Sequence, residues 1–240
     1  MESSTAPSWL LLPGHLCTDA LWAGVRSQLV AEGREVTTAD LCSDGSVEAM
    51  ARRASVSLRA PTVLVGFSMG GLVALAIHAL VPDLVAGMVL ISSNARAHLP
   101  ERNAARIAQE QVARTGGFAR IVASDLVPSY FASGHPDLAL LRRSAIEMAS
   151  ELGPEVFVRQ SEAIRTRPDS RAALASVRCP CLIVGGGQDP LSPPEWQQEL
   201  ATGIPASELA MFGESGHFVP LEAPGALAAA VRDWSTRHGL

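Results

Sequence analysis

Residues 61–80, PTVLVGFSMGGLVALAIHAL, run from strand to turn to helix with nothing between them. Thr62–Phe67 is a short apolar run rich in β-branched residues, as in a parallel strand buried on both faces. Met69–Leu80 is apolar almost all round, and its Ala and Leu residues favour a helix packed on both sides. The joint is Gly66-Phe67-Ser68-Met69-Gly70, a G-x-S-x-G segment. A strand that turns straight into a helix bends sharply enough to strain the turn residue. Gly66 and Gly70 let neighbouring backbones approach, and the serine Oγ stands out over the strand ends. The pattern reads as a nucleophile elbow, against the plainer alternative of a glycine-rich turn with an incidental serine.

The flanking chain repeats this rhythm. Before the elbow, residues 9–12 form an apolar strand stopped by Pro13-Gly14. Thr18 then opens a helix carrying Leu21, Trp22, Val25 and Leu29, which Gly33 closes. Residues 36–41 make a second strand, and Ser46 caps a helix with Val47, Met50, Ala51, Ala54 and Leu58 on one face. After the elbow, Val85–Ile91 is a fourth strand. Residues 181–184 and Ser207–Phe212 supply two more, and a closing helix turns Leu227, Ala230, Val231 and Trp234 inward. Between the last two strands, Ser192-Pro193-Pro194-Glu195 reads as a capping box with proline at the first helical position. Strand and helix in alternation imply βαβ units. The expected fold class is therefore α/β, a mostly parallel sheet of about six strands with helices on both faces.

The rhythm breaks between Ala95 and Ser176. That segment is rich in Ala and Arg, shows helical spacing and offers no convincing strand. Helices are expected over 101–114, 118–126, 137–152 and 154–167, with breaks at Gly116-Gly117 and Gly153, and Asp169 capping a last short one. The expected organisation is a core of residues 1–94 and 177–240 with a helical lid, 95–176, inserted after the fourth strand.

Composition narrows the function. Forty-eight percent hydrophobic and 18% charged residues suffice for a large core. A net charge of −5 leaves no basic footprint for nucleic acid. Residues 1–8 lack a signal-peptide pattern, and no apolar run reaches the length of a membrane span. Cys17, Cys42, Cys179 and Cys181 fit neither a redox nor a zinc spacing, so free thiols in a reducing cytoplasm are expected. No metal or organic cofactor is implied, and the oligomeric state is left open.

Ligands of an open α/β sheet bind beyond the carboxyl ends of its strands. Ser68, Asp189 and His217 each follow a strand, in the order Ser…Asp…His that accompanies such an elbow. His217 can take the serine proton, and Asp189 can fix its tautomer and stabilise the imidazolium. The other histidines, His15, His78, His98, His135 and His238, lack a strand-end Ser-Gly-His setting. The loop after the fourth strand offers Ser92, Ser93 and Asn94 but no carboxylate. Donors for an oxyanion are expected from the amides of Met69 and His15, with Leu16 the alternative to His15. Leu16, Phe118, Tyr130, Phe131, Met148, Phe157 and Phe218 are candidates for a substrate pocket. The arginine-dense run 164–171 could meet a carboxylate-bearing substrate, although a solvated helix end is the expected reading.

Residues 11–22 (LLPGHLCTDALW), 66–71 (GFSMGG), 179–194 (CPCLIVGGGQDPLSPP) and 215–224 (SGHFVPLEAP) carry a family resemblance. Through them nearly the whole chain resembles the α/β-hydrolase superfamily, within it the short-lid carboxylesterases, methyl-ester hydrolases and menaquinone-pathway branch. The resemblance implies an eight-stranded core, here without its first strands. It departs from the common pattern at Pro13-Gly14, where many relatives have His-Gly. The expected function is a cytoplasmic serine hydrolase acting on a small-molecule carboxylic ester, with neither nucleic acid nor membrane as partner. The same three residues would also serve C–C bond or thioester hydrolysis, elimination or perhydrolysis. A non-catalytic receptor is the alternative from another class.

Overall fold

The computed structural model describes residues 7–31 and 33–240. The expected lack of a leader in residues 1–8 therefore falls mostly outside the described residues. Six strands form one parallel sheet: β1 (Ser8–Leu12), β2 (Val36–Thr38), β3 (Thr62–Phe67), β4 (Val85–Ile91), β5 (Cys181–Gly186) and β6 (Ser207–Phe212). Their spatial order is β2-β1-β3-β4-β5-β6, so the winding direction reverses between β1 and β3. The expected second strand is cut to three residues, with Leu41 buried beyond its end.

Alternate residues of each central strand enter opposite core layers. Trp9, Leu11, Val63, Val65, Phe67, Val89 and Ile91 pack with Leu21, Trp22, Val25, Val231 and Trp234. Leu10, Leu12, Leu64, Met88, Leu90 and Ile183 pack with Met50, Val73, Ile77 and Leu200. Burial on both faces explains why the strands read as continuous apolar runs. In the closing helix, Pro224–His238, the inward position is Ala228 rather than the expected Ala230. The register pairs Leu12 with Gly66, Phe67 with Ile91, Ile91 with Val184 and Gly186 with Phe212. The carboxyl ends of the central strands thus stop at nearly one level, and the loops beyond them share one rim.

No strand occurs among the described residues between β4 and β5. A turn at Pro100–Arg102 leads into helix Asn103–Val112, and Gly116 at φ 93° ends the following wide turn. Helix Phe118–Ile121 continues as a wide turn over Val122–Leu126. The last two expected helices run almost continuously as Leu138–Thr166, separated only where Gly153 takes φ 79°. One capping expectation is met and one is corrected. Ser170 precedes the short helix Arg171–Ser176, while the Asp169 carboxylate accepts from the Arg171 amide at 3.0 Å. Helix Pro194–Gly203 is entered from Pro193 without a side-chain cap, so Ser192 forms no capping box.

Candidate active site

Ser68 sits at the top of β3 with φ 52° and ψ −112°, a conformation that costs a non-glycine residue energy. Three bonds hold it there: Ser68 N–H to the Ile91 carbonyl (2.8 Å), Gly71 N–H to the Ser68 carbonyl (3.0 Å) and the Ser93 hydroxyl to that same carbonyl (2.9 Å). A Cβ on Gly70 would lie 1.9 Å from the Leu12 carbonyl oxygen, so only glycine lets the elbow press against β1.

Asp189 and His217 come from the loops after β5 and β6. One Asp189 oxygen accepts from the amides of Leu191 (2.8 Å) and Ser192 (3.0 Å), which aims the other at His217. Claiming the Ser192 amide draws that residue back into the loop, ahead of the helix it was expected to cap. His217 Nδ1 lies 2.7 Å from Asp189 Oδ2, and its Nε2 lies 2.9 Å from Ser68 Oγ. An ionised carboxylate only accepts, so Nδ1 carries the proton and Nε2 accepts from the serine hydroxyl. Both Asp189 and His217 are buried. The imidazole packs on Phe67, with ring centroids 5.2 Å apart.

Two braces had no counterpart in the sequence reading. The buried Glu222 carboxylate accepts from Gly216 N–H (2.9 Å) and Ala132 N–H (2.8 Å), tying the His217 loop to the helical segment. Tyr130 adds its carbonyl as acceptor for the His217 amide at 2.8 Å. Gln160, fully buried, accepts from Leu16 N–H at 2.8 Å and donates to the Leu41 carbonyl at 3.1 Å. Leu16 holds φ 55°, so its backbone conformation needs this support. Glu222 lies within a quoted family stretch and Gln160 in the middle of an amphipathic helix. Only the buried position of each, invisible in the sequence, sets it apart.

The Gln160 contact also separates the two candidate oxyanion donors. Leu16 N–H is occupied, whereas His15 and Met69 amides have no protein acceptor among the described residues. His15 and Met69 line the same cavity as Ser68. Burial, then the positive charge of Arg106, lowers the His15 imidazole to about 3, so it stays neutral.

The cavity over Ser68 encloses about 430 Å³, within the usual range of small-molecule sites. Of the seven expected pocket residues, Tyr130 and Phe218 line it. Leu16, Phe118, Phe131, Met148 and Phe157 do not; they are buried in the core layer between the helical segment and the sheet. The rings of Phe118 and Phe157 meet at 5.8 Å and those of Phe131 and Phe218 at 5.1 Å. Large apolar side chains bury more area there than against an open cavity. Apolar parts of the wall are instead Leu72, Leu99, Leu126, Ile164, Leu191 and Trp196, and polar parts include Asn94, His98, Arg106 and Arg167.

All four cysteines are free. Among the described residues no three His, Cys, Asp or Glu side chains group as metal ligands would, and no helix is long and apolar enough to cross a membrane.

Comparison with known proteins places this architecture. The chain is 26% identical over 191 residues to a pimeloyl-[acyl-carrier protein] methyl ester esterase of Neisseria meningitidis serogroup A, covering 78% of this chain and 61% of that protein. A protein of the same name from Aromatoleum aromaticum is 27% identical over 254 aligned positions, covering 95% and 97% of the two chains. A malate-bound thermophilic esterase from Thermogutta terrifontis superposes with a TM-score of 0.87 at 27% identity, over 98% of this chain and 91% of that one. The model of the Alpha/beta hydrolase family matches residues 6–230. This chain belongs to the Alpha/beta hydrolase family.

Proposed function

We propose that the protein is a serine hydrolase that cleaves a small carboxylic ester through an acyl-enzyme. Ser68 Oγ attacks the carbonyl carbon while His217 Nε2 takes its proton, and Asp189 stabilises the imidazolium formed. The amides of His15 and Met69 receive the developing oxyanion. Collapse of the tetrahedral intermediate expels the alcohol, protonated by His217. Water, deprotonated by the same imidazole, then releases the acid and restores Ser68. Residues 95–176 act as the lid over a core of residues 1–94 and 177–240, and the setting is the cytoplasm.

The observation that carries this reading is the unbroken chain from Ser68 Oγ to His217 (2.9 Å) to Asp189 (2.7 Å). The two unengaged amides beside it and the esterase names of the relatives support the reading. Ser68→Ala and His217→Ala should each lower kcat/KM for short aryl esters by about ten-thousandfold or more, with an unchanged circular dichroism spectrum. Wild-type turnover in either variant contradicts the mechanism. Cleavage of thioesters or vinylogous diketones with silence on every ester would keep the machinery and change the reaction.

A further inference from the structure

The wall of the cavity over Ser68 carries two arginines that form no ion pair among the described residues. Arg106, on helix Asn103–Val112, donates from Nη1 to the Ser161 hydroxyl at 3.1 Å. Its neighbour one turn on, Glu110, is drawn instead toward Arg165, 3.5 Å away. Arg167, just past the end of helix Leu138–Thr166, donates to the carbonyls of Arg96 (2.8 Å) and Ile164 (2.7 Å). Neither guanidinium reaches a carboxylate among the described residues. Several arginines on outer surfaces do have acidic partners. Arg53 pairs with Asp44, Arg143 with Glu147, Arg171 with Asp169 and Arg237 with Glu208. Arg106 and Arg167 are partly withdrawn from water and line the cavity, yet neither has a carboxylate partner among the described residues. Withdrawing a cation from water without a paired anion is costly, so stability does not explain this arrangement.

The histidine between them adds a second unmet group. His98 Nδ1 lies 3.5 Å from Arg167 Nη1, and a guanidinium can only donate. The imidazole proton is then on Nε2, which is buried and has no partner among the described residues. Burial first, and then the positive charge of neighbouring arginines, lowers His98 to about 4 and Arg167 to about 10. The cavity's own acids, Glu101 and Asp125, are exposed, as is Arg102, and Asp125 faces Gln109 at 3.4 Å. They stand at the solvent side and pair with neither inner cation, and the buried Glu110 carboxylate acts on Arg106 only from beyond ion-pair distance.

We propose that Arg106, Arg167 and His98 form a subsite for a carboxylate of the substrate, so that the ester cleaved carries a free carboxylate remote from its scissile bond. This rests on the ester-cleaving reading of Ser68 and names the substrate class for it. A guanidinium offers a planar fork that matches a carboxylate, and the pairing strengthens where water is scarce. The bound anion would relieve the mutual repulsion of Arg106 and Arg167 and accept from His98 Nε2.

The test compares kcat/KM for monomethyl glutarate and monomethyl adipate with their neutral, amide-ended analogues. A mirrored pair carries the carboxylate on the alcohol part. Wild-type protein should favour the charged member of at least one pair by about ten- to a hundredfold, the worth of a hydrogen bond to a charged group. The preference should shrink in Arg106→Gln and Arg167→Gln and with rising salt, while Arg143→Gln on the outer surface keeps it. A Tm equal to or above wild type shows that the glutamine variants fold. A ratio near one in every wild-type pair, or one unaltered in both variants, overturns the subsite. Calorimetric titration of glutarate into Ser68→Ala protein separates this result from the fate of the ester reading. Binding that needs Arg106 upholds the subsite even if no ester is turned over. Cleavage of neutral esters without charge preference and without glutarate binding removes the subsite alone. Tighter binding of inorganic phosphate than of glutarate overturns the carboxylate assignment.

Discussion

The strand-end loops and the helical segment 95–176 build the two sides of one cavity under different constraints. On the sheet side, Ser68, Asp189 and His217 are delivered by backbone geometry. Each follows a parallel strand, and the strand ends are held level by the register. On the helical side, a residue can face the cavity, the sheet or water, and nothing local chooses among them. Phe157 and Arg106 both stand on helices of this segment, yet the phenyl ring is buried in the core and the guanidinium lines the cavity. The side chains on the strand-end loops are therefore placed by short-range rules and the opposite wall of the cavity by packing.

If that division holds, the largest effect should come from disturbing the loop backbones. A Cβ at Gly186 would sit 1.8 Å from the Gly216 carbonyl oxygen, with no flexible side chain to yield. Gly186→Ala should either displace the His217 loop and remove the proposed ester turnover, or cost more than about 4 kcal/mol, the exceptional end for one substitution. Thermal unfolding and ester turnover, measured together, check this. A stable, active variant would break the link between backbone approach and the position of His217.

Next in size is a substitution in the helical layer that avoids the cavity. Met148 is 3% exposed and packed in the core layer. Met148→Ala should destabilise by about 2–5 kcal/mol, read by urea unfolding, with an unchanged order of preference among esters of different chain length. An altered preference would mean that the inner layer shapes the pocket after all.

The smallest expected effect lies where the two sides meet. Gln160→Leu leaves the Leu16 amide and Leu41 carbonyl without their partner, a loss of about 1–3 kcal/mol. Because Leu16 follows His15, kcat should fall about tenfold with little change in KM, as when an interaction of the transition state is lost. Equal changes in both constants, or in neither, would separate the helical segment from the proposed oxyanion loop.

The sequence showed the sheet side well because its signals are local. Thr62–Phe67, Val85–Ile91 and Ser207–Phe212 have the expected bounds, since apolar runs ended by Gly, Ser or Asn mark strand ends directly. The placement of Asp189 and His217 followed from the strand-end rule. The capping box at Ser192 failed because the Asp189 carboxylate competes for the same amide. Reading pocket residues from aromatic content failed at Phe118, Phe131 and Phe157, since cores and pockets draw on the same side chains. Gln160, Glu222 and Arg106 were missed for the opposite reason. Their residue types are ordinary on exposed helices, and only tertiary contacts reveal that Gln160 and Glu222 are buried and that Arg106 lacks a carboxylate partner.

In the proposed mechanism, a hydroxyl at the end of β3 is made nucleophilic by an imidazole carried on a distant loop. Intact-mass analysis after treatment with a fluorophosphonate tests it most directly. One adduct per chain is expected, mapped to Ser68, absent from Ser68→Ala and formed far more slowly in His217→Ala. An adduct that persists in Ser68→Ala, or a wild-type protein that stays unlabelled, would contradict it.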